Sequence, residues 1–370
     1  MGGCEDNARV YALIKYRLSI IDIVYLVGLL AVFAGSGISK ILSRGIDGLC
    51  PQKFFIFPVY LLIAYTAYAI LDFPLNFYRS FILEHQFGLS NEKFGGWFKD
   101  QCKAGIIAYI ISLVLFLVFY GLVRHYPENW WLFVSAIWIF FSLVMAKLIP
   151  IVIIPLFFKY KRLTDESLRQ RVMALAHKMG VAILDVFEID LSRKTTKANA
   201  AFVGLGRTRR VLLADTLKDK YTPDEIEAIL AHEFAHYRLK HLWKLIAMNS
   251  LVTLATFFLI FKSSGYFLKV LGIPSLGDIA AFPLVLLYFI VFAAITQPFE
   301  NYISRILEKN ADLMALRVTG RADAFISMMD KLSAQNLADR NPSRLAKIFF
   351  FDHPPIDERI ALARSIEIEK

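Results

Sequence analysis

Three of the chain's seven histidines lie within ten residues, in the stretch 229–241. Residues 232–236 of this stretch read H-E-F-A-H and so match the H-E-x-x-H pattern. Because residues four apart lie on one face of a helix, His232 and His236 can offer two imidazole nitrogens to one metal ion. Glu233 would then lie beside the ion, where its carboxylate can take a proton from water. Polar helix faces also produce this pentapeptide by chance, so the interpretation needs support from elsewhere in the chain.

A candidate for a third ligand follows the last apolar stretch of the chain. Catalytic zinc usually has three protein ligands and one position left for water. Glu308 and Asp312 are four residues apart and would share a helix face. We predict that Glu308 is the third ligand and that Asp312 accepts an N–H from a ligand histidine. Glu300 competes for the ligand role but has no carboxylate four residues later, and a solvated acidic face is the alternative interpretation of the pair.

The elements around these residues are strongly apolar. The chain is 57% hydrophobic and only 20% charged, and its mean hydropathy is +0.51. Six stretches carry at most one charged residue each and are long enough to cross a bilayer as helices. They are residues 20–38, 54–71, 104–123, 130–158, 245–261 and 279–299. Residues 245–261 are the shortest and could instead form a buried core helix, but a soluble fold would show polar residues at helical spacing along most of the six.

These stretches divide the chain into four regions. Residues 1–158 form an amino-terminal membrane region with four spans and a loop at 79–103. Residues 159–244 form a protease portion of soluble character, 245–299 hold two further spans, and 300–370 form a polar tail. With six spans the amino terminus, both long loops and the tail share one side, which also carries most of the 42 Lys and Arg residues. The positive-inside rule therefore predicts that the metal site faces the cytoplasm.

The net charge of +10 indicates contact with anionic lipid headgroups. No nucleic-acid-binding motif accompanies this charge, and we expect no nucleic-acid partner. The three cysteines, Cys4, Cys50 and Cys102, have neither metal-binding nor disulfide spacing.

The soluble portion has the pattern of a small α+β unit. Residues 168–179 have the periodicity of an amphipathic helix that ends at Gly180. A capping box of Thr222 and Glu225 starts the helix that carries the H-E-x-x-H motif. No glycine or proline separates this helix from residues 245–261, so we predict that it continues into the membrane. Alternating or apolar runs predict three short strands, at 187–191, 200–204 and 211–213, with a turn at 204–206.

Taken together, the motifs of this chain resemble those of the type 1 CAAX prenyl protease family, whose members are membrane-embedded zinc metalloproteases. The resemblance covers most of the chain and rests on several segments in the same order. These are residues 78–90, 199–202, 210–217 and 232–236, Glu308 with Asp312, and His353-Pro354-Pro355 with Arg359. The eukaryotic members have a longer chain and one more span than the six counted here.

The resemblance implies a fold and further site residues. It implies a barrel of tilted helices around an intramembrane, water-filled chamber, with a zincin-like α+β unit and one Zn²⁺ near the cytoplasmic end. His353 would stabilise the developing oxyanion, and Arg359 would contact the substrate or position His353. Asn199 and Ala200 would belong to an edge strand on which an extended peptide pairs. Polar residues within the spans, such as Asp72, would line the chamber.

The leading functional prediction is a zinc endopeptidase that cleaves prenylated CAAX-type or other hydrophobic peptides at a membrane. The first alternative is a membrane quality-control protease with the same chemistry. The second is a transporter or scaffold with a structural or inactive zinc site. Structural zinc sites more often have four ligands that include cysteine, and the three cysteines lie far from the motif. The sequence leaves open whether the membrane is a bacterial inner membrane or the endoplasmic reticulum.

Overall fold

Long apolar helices make up most of the structure, a computed structural model that describes residues 2–204 and 209–368. Within these residues, six helices have the length and composition needed to cross a membrane. They are Asp6–Gly35, Lys53–Gln86, Phe94–His125, Trp130–Phe157, His241–Leu271 and Ile279–Thr319. Each contains or largely overlaps one of the predicted stretches, so the six helices predicted from the sequence are confirmed.

The elements follow one another along the chain in a mostly helical order. The helices are α1 (Gly2–Gly35), α2 (Ile38–Leu49), α3 (Ile56–Phe77), α4 (Leu83–Gln86), α5 (Phe94–His125), α6 (Trp130–Leu148), α7 (Ile154–Phe157), α8 (Glu166–Lys178), α9 (Asp215–Lys218), α10 (Pro223–Arg238), α11 (His241–Leu271), α12 (Phe282–Thr319), α13 (Ala322–Asn336), α14 (Arg344–Phe350) and α15 (Ile356–Ile368). The strands are β1 (Tyr160–Arg162), β2 (Val186–Ile189), β3 (Ala200–Val203) and β4 (Arg210–Ala214).

The membrane helices bury one face and expose apolar side chains on another. On α5, Ile106, Ile110 and Val114 lie four residues apart and are all exposed, as suits a face turned to lipid. The opposite side of α5 enters an apolar core shared with α2, α3, α6, α11 and the start of α12. Fully buried aromatic rings fill this core, among them Phe119 and Phe257, whose centroids lie 6.3 Å apart.

The soluble portion holds a four-stranded sheet in the order β1-β2-β4-β3. The pair β2–β4 is parallel, and the other two pairs are antiparallel. The three strands predicted from the sequence are confirmed, although β1 was not predicted. The predicted turn at 204–206 falls largely outside the described residues. The order leaves β3 at an edge of the sheet, beside the helix with the H-E-x-x-H motif.

Helix α10 is the central element of the soluble core. Its predicted capping box is present, since the Thr222 hydroxyl accepts from the Glu225 N–H and the Glu225 carboxylate accepts from the Thr222 N–H. Ile226, Leu230 and Phe234 recur every four residues and are fully buried. They pack in a core formed with α8, α13, α15 and the sheet. The cap and the apolar face together fix where the motif begins and which way it turns.

The predicted continuity of the motif helix with the next span is wrong. Helix α10 ends at Arg238 and α11 begins at His241, and between them Lys240 adopts a left-handed conformation with φ of 57°. The Leu239 and Lys240 amides bond back to the Ala235 and Tyr237 carbonyls, which closes the end of α10. The left-handed conformation is unfavourable for residues other than glycine, so a lysine at position 240 gives no sequence signal for this break. Tertiary packing imposes it, and the turn brings the His241 ring against the His236 ring.

The break at Lys240 predicts opposite effects of glycine at two nearby lysines. Lys240→Gly should preserve or raise the melting temperature in detergent, because glycine adopts the left-handed conformation at no steric cost. Lys244→Gly, inside α11, should lower the stability by roughly 1 kcal/mol, because glycine is unfavourable within a helix. Thermal unfolding of both variants beside the unaltered chain measures the difference. A loss in Lys240→Gly as large as that in Lys244→Gly would contradict the break.

Candidate metal centre

The site forms where α10 packs against the last third of α12. Helix α12 begins in the membrane portion and runs unbroken to Thr319, so it carries Glu308 and Asp312 out to the soluble core. Both carboxylates are buried, with exposed fractions of 6% and 0%. The two facing helices are lined by fully buried alanines, namely Ala231, Ala235, Ala311 and Ala315. Small side chains let two helices approach closely, and short acidic side chains can then reach across the interface.

The structure brings His232, His236 and Glu308 together as the sequence predicted. The Nε2 atoms of the two histidines are 3.0 Å apart. The carboxylate of Glu308 faces both, with Oε2 at 3.1 Å from His232 Nε2 and Oε1 at 3.2 Å from His236 Nε2. One ligand atom from each residue lies within 4.8 Å of the others, which suits a shared metal ion. Glu300, the competing candidate, is not part of this group.

The hydrogen bond to Asp312 fixes the tautomer of His232. His232 Nδ1 lies 2.8 Å from Asp312 Oδ1, so it donates its proton there and leaves the Nε2 lone pair facing Glu308. Within the described residues, buried Glu308 Oε2 accepts no hydrogen bond. Converging lone pairs of this kind repel one another unless a cation lies between them. Two imidazole nitrogens and one carboxylate oxygen are the donors of catalytic zinc sites that keep an open position.

The carboxylates around His232 also favour its protonated form. Burial lowers the pKa of the His232 imidazole, but the hydrogen bond with Asp312 and the nearby Glu308 carboxylate outweigh this effect and raise the pKa to about 9. A metal ion that binds here must displace that proton, as metals generally do at histidine ligands.

Arg359 binds the Asp312 carboxylate beside the site. Its Nε and Nη2 atoms donate to the two oxygens of Asp312 at 2.8 and 2.6 Å, and its side chain is nine-tenths buried. This bidentate pair compensates the buried Asp312 charge and holds the carboxylate that orients His232. From the family resemblance we expected Arg359 to contact the substrate or to position His353. The structure places its guanidinium on Asp312, a contact between residues 47 positions apart that no local pattern predicts.

His353 lies on the open side of the site. Its Nε2 is 3.4 Å from Glu308 Oε2, and its Nδ1 is 2.8 Å from Asp352 Oδ1. Burial lowers the pKa of the His353 imidazole, but the Asp352 carboxylate and the nearby Glu308 raise it overall. The hydrogen bond from His353 also lowers the pKa of the Asp352 carboxyl. About half of the His353 side chain is exposed, so it can reach a ligand bound beside the metal position.

His241 also belongs to the site, although the sequence did not identify its partner. His241 is not one of the three grouped ligands and instead contacts the His236 ring. Its Nδ1 lies 3.0 Å from His236 Nδ1, and the ring is 1% exposed. A partner on Nδ1 fixes the orientation of the His236 ring, so that Nε2 faces the metal position.

A cavity of about 190 Å³ opens beside the metal position. Its lining includes Glu233 and His232 of α10, together with His353 and Arg359. The lining also includes Asn199 and Ala200 at the start of β3, and Asn336 at the end of α13. The cavity therefore joins the proposed general base, the metal position and an exposed strand edge, which is the arrangement needed to act on an extended peptide.

Comparisons with known proteins agree with this arrangement. The profile of peptidase family M48 matches residues 162–367, and the profile "CAAX prenyl protease N-terminal, five membrane helices" matches residues 5–159. In the latter range the structure has four helices of membrane length, together with the 12-residue α2.

Curated relatives match over most of the chain. The uncharacterized metalloprotease YhfN of Bacillus subtilis is 29% identical over 97% of this chain and 85% of its own. CAAX prenyl protease 1 of Saccharomyces cerevisiae is 27% identical over 79% of this chain and 68% of its own. The crystal structure of S. mikatae Ste24p superposes with a TM-score of 0.87 at 24% identity, over 98% of this chain and 89% of that one, and so has the same fold.

The fold, the site and these matches define a membrane-embedded metalloendopeptidase. The chain belongs to peptidase family M48. It is similar along most of its length to CAAX prenyl protease 1. The family resemblance and the fold class predicted from the sequence are confirmed: an α-helical, multi-pass membrane protein with a small sheet in its soluble portion. The chamber enclosed by the helices stays a prediction.

The ligand set predicts which glutamate controls metal content. Glu308→Ala should remove most of the bound metal and the activity with it, because it takes away one of three ligands. Glu300→Ala, just over two turns earlier on the same helix, is the matched control and should retain metal. Metal analysis of the purified variants, together with thermal unfolding to verify folding, makes the comparison. If only Glu300→Ala lost metal, Glu300 and not Glu308 would be the third ligand.

Proposed function

We propose that the protein is a zinc endopeptidase that cleaves prenylated CAAX-type or other hydrophobic peptides at the membrane. One Zn²⁺ would be held by His232, His236 and Glu308. The observation that carries the proposal is the cavity that joins His232, a member of this ligand group, to Glu233, His353 and the start of β3. When bound, the zinc ion lowers the pKa of a water ligand toward about 7 and polarises the substrate carbonyl.

The side chains around the cavity supply the remaining steps. Glu233 accepts a proton from the attacking water and then donates it to the leaving amine. His353, with Asp352 on its Nδ1, presents Nε2 toward the site and donates a hydrogen bond to the carbonyl oxygen as that oxygen gains charge. Asp312, held by Arg359, keeps the Nδ1 proton of His232 in place, so that Nε2 remains a ligand throughout.

The edge of β3 would bind the substrate as an added strand. Backbone polar groups of alternate residues in a strand point to opposite sides. The Asn199 carbonyl accepts from the Ala214 N–H of β4, so Asn199 turns its main chain toward the sheet. Ala200 and Phe202 therefore turn theirs outward, where an extended peptide can pair with them. We therefore assign main-chain binding to Ala200, while Asn199 lines the cavity beside it.

The site is proposed to face the cytoplasm. Support comes from the Lys and Arg residues, which are concentrated on the same side of the six helices as the soluble portion. A lipid-anchored peptide held in that leaflet would reach the site without crossing the bilayer. A quality-control protease would use the same residues and differs only in substrate. Membership of a peptidase family argues against a transporter or scaffold with an inactive zinc site.

The substrate class can be tested with matched peptides. Purified protein in detergent is incubated with a prenylated CAAX peptide and its unprenylated twin, with and without a chelator. We expect cleavage of the prenylated peptide only, and its loss with chelator. Chelator-sensitive cleavage of both peptides alike would favour the quality-control function, and chelator-insensitive or absent cleavage of both would reject the proposal.

The proton-transfer role of Glu233 predicts a separation of activity from metal binding. Glu233→Gln should reduce kcat by roughly 10²–10⁴-fold, because the amide cannot accept the proton, while the zinc content stays unchanged. Glu227→Gln, on the same helix and paired with Arg171, is the matched control and should retain activity. Peptide cleavage rates and metal analysis of the two variants are the measurements. Full activity in Glu233→Gln would disprove this mechanism.

A further inference from the structure

Two polar side chains of α12 bind the end of α14, the short helix that precedes His353. The last carbonyl groups of an α-helix have no partner within that helix and need one elsewhere. The carbonyl groups bound here are those of Lys347, Ile348, Phe349 and Phe351. Asn301 Nδ2 donates to the second and third, at 3.1 and 2.9 Å, and Arg305 Nη1 donates to the first and last, at 2.9 and 2.6 Å.

These bonds fix the chain two residues before His353. Phe351, the residue after α14, is extended and accepts from the Arg305 side chain, whereas Asp352 and His353 are exposed. Beyond the two prolines, Arg359 of α15 binds a carboxylate of α12. The segment that carries His353 is therefore attached on both sides, and both attachments are made to α12.

Both attachments lie on the face of α12 that carries the predicted third ligand. The residues involved are spaced by four, three and four positions and so share this face; they are Asn301, Arg305, Glu308 and Asp312. Glu308 lies between the two attachments, and its Oε2 is 3.4 Å from His353 Nε2. One helix face thus sets the position of the ligand and that of the histidine beside it.

Arg305 suits this position because its guanidinium binds main-chain carbonyls. A single nitrogen, Nη1, makes both of its bonds to the end of α14. Carbonyl groups at the end of a helix carry partial negative charge, so a cation there is stabilised electrostatically as well as by its hydrogen bonds. Asn301 is almost fully buried and adds two neutral hydrogen bonds one turn earlier.

We propose that Asn301 and Arg305 are positioning residues, which hold the end of α14 on α12 and so keep His353 Nε2 beside the metal position. The inference rests on the proposed peptidase function and deepens it, because it states what keeps the oxyanion-stabilising group in place. A donor stabilises the developing charge most effectively when it is already in position before the reaction. About half of the His353 side chain is exposed, so the attachment of its chain segment must supply that order.

Variants of Arg305 in the full-length chain, in detergent with zinc, test this role. Arg305→Met removes two hydrogen bonds and should lower kcat roughly tenfold, with KM and zinc content little changed, because a displaced catalytic group stabilises the transition state less well. Arg305→Lys should retain more activity, since one ammonium nitrogen carries three donors and can bond to both carbonyls. Lys309→Met removes the same charge from an exposed position one turn later and is the matched control; it should keep the kcat of the unaltered chain.

A double-mutant cycle with His353 separates positioning from general loosening of the fold. His353→Ala alone should lower kcat by about 10²–10³-fold, as the loss of an oxyanion donor does. If Arg305 acts through His353, Arg305→Met should lower kcat no further when His353→Ala is already present. Losses that multiply in the double variant would show that Arg305 acts independently of His353.

Hydrogen exchange supplies a readout that does not depend on activity. The peptides that cover residues 344–355 should exchange several-fold faster in Arg305→Met than in the unaltered chain, while those of α10 keep their rates. Asn301→Ala removes the other two bonds and should change exchange and kcat in the same direction. It provides the test if Arg305→Met does not fold, which thermal unfolding verifies for each variant.

Three outcomes would overturn the inference alone: unchanged kcat and exchange in folded Asn301 and Arg305 variants, an equal loss in Lys309→Met, or multiplying losses in the cycle with His353. If the unaltered chain cleaved no peptide, the proposed function would be overturned, and this inference with it.

Discussion

The buried carboxylate of Asp312 is the contact on which the rest of the site depends. It accepts the Nδ1 proton of His232 on one side and two hydrogen bonds from Arg359 on the other. A buried charge is costly unless it is paired and hydrogen bonded, so α10, α12 and α15 must assemble together for any one of them to be stable here. The same assembly sets the tautomer of His232 and turns its Nε2 toward Glu308, which couples formation of the metal site to formation of the core.

Helix α12 links the site to the membrane. It continues from an apolar span into the soluble core, and Glu308 lies nine residues, or about 13 Å along the helix axis, beyond residue 299. The H-E-x-x-H helix has no such continuity, because the chain turns at Lys240 before α11 begins. The distance of the metal position from the bilayer is therefore set by α12, while the turn at Lys240 places His241 behind His236.

The substrate edge is tied to the membrane portion as well as to α13. The segment before β3 forms an isolated bridge, Ser90 with Thr195, to the loop that follows α4. Lys197 donates to Glu84 at 2.7 Å, and Glu84 also accepts from the Tyr11 hydroxyl of α1. Elements of the membrane portion, the sheet and α13 thus all hold the strand that we propose binds substrate.

The sequence alone determined the features that depend on local spacing. Long stretches with at most one charge predicted the six membrane helices, and apolar or alternating runs predicted three strands. The i,i+4 spacing paired His232 with His236 and Glu308 with Asp312. Motif order was sufficient to predict the family. The tertiary structure decided the left-handed turn at Lys240, the pairing of Arg359 with Asp312, and the hydrogen bonds of Asn336 with Ala198. Each of these is a contact between distant segments or a conformation imposed by packing, and neither kind leaves a periodic signal in the sequence.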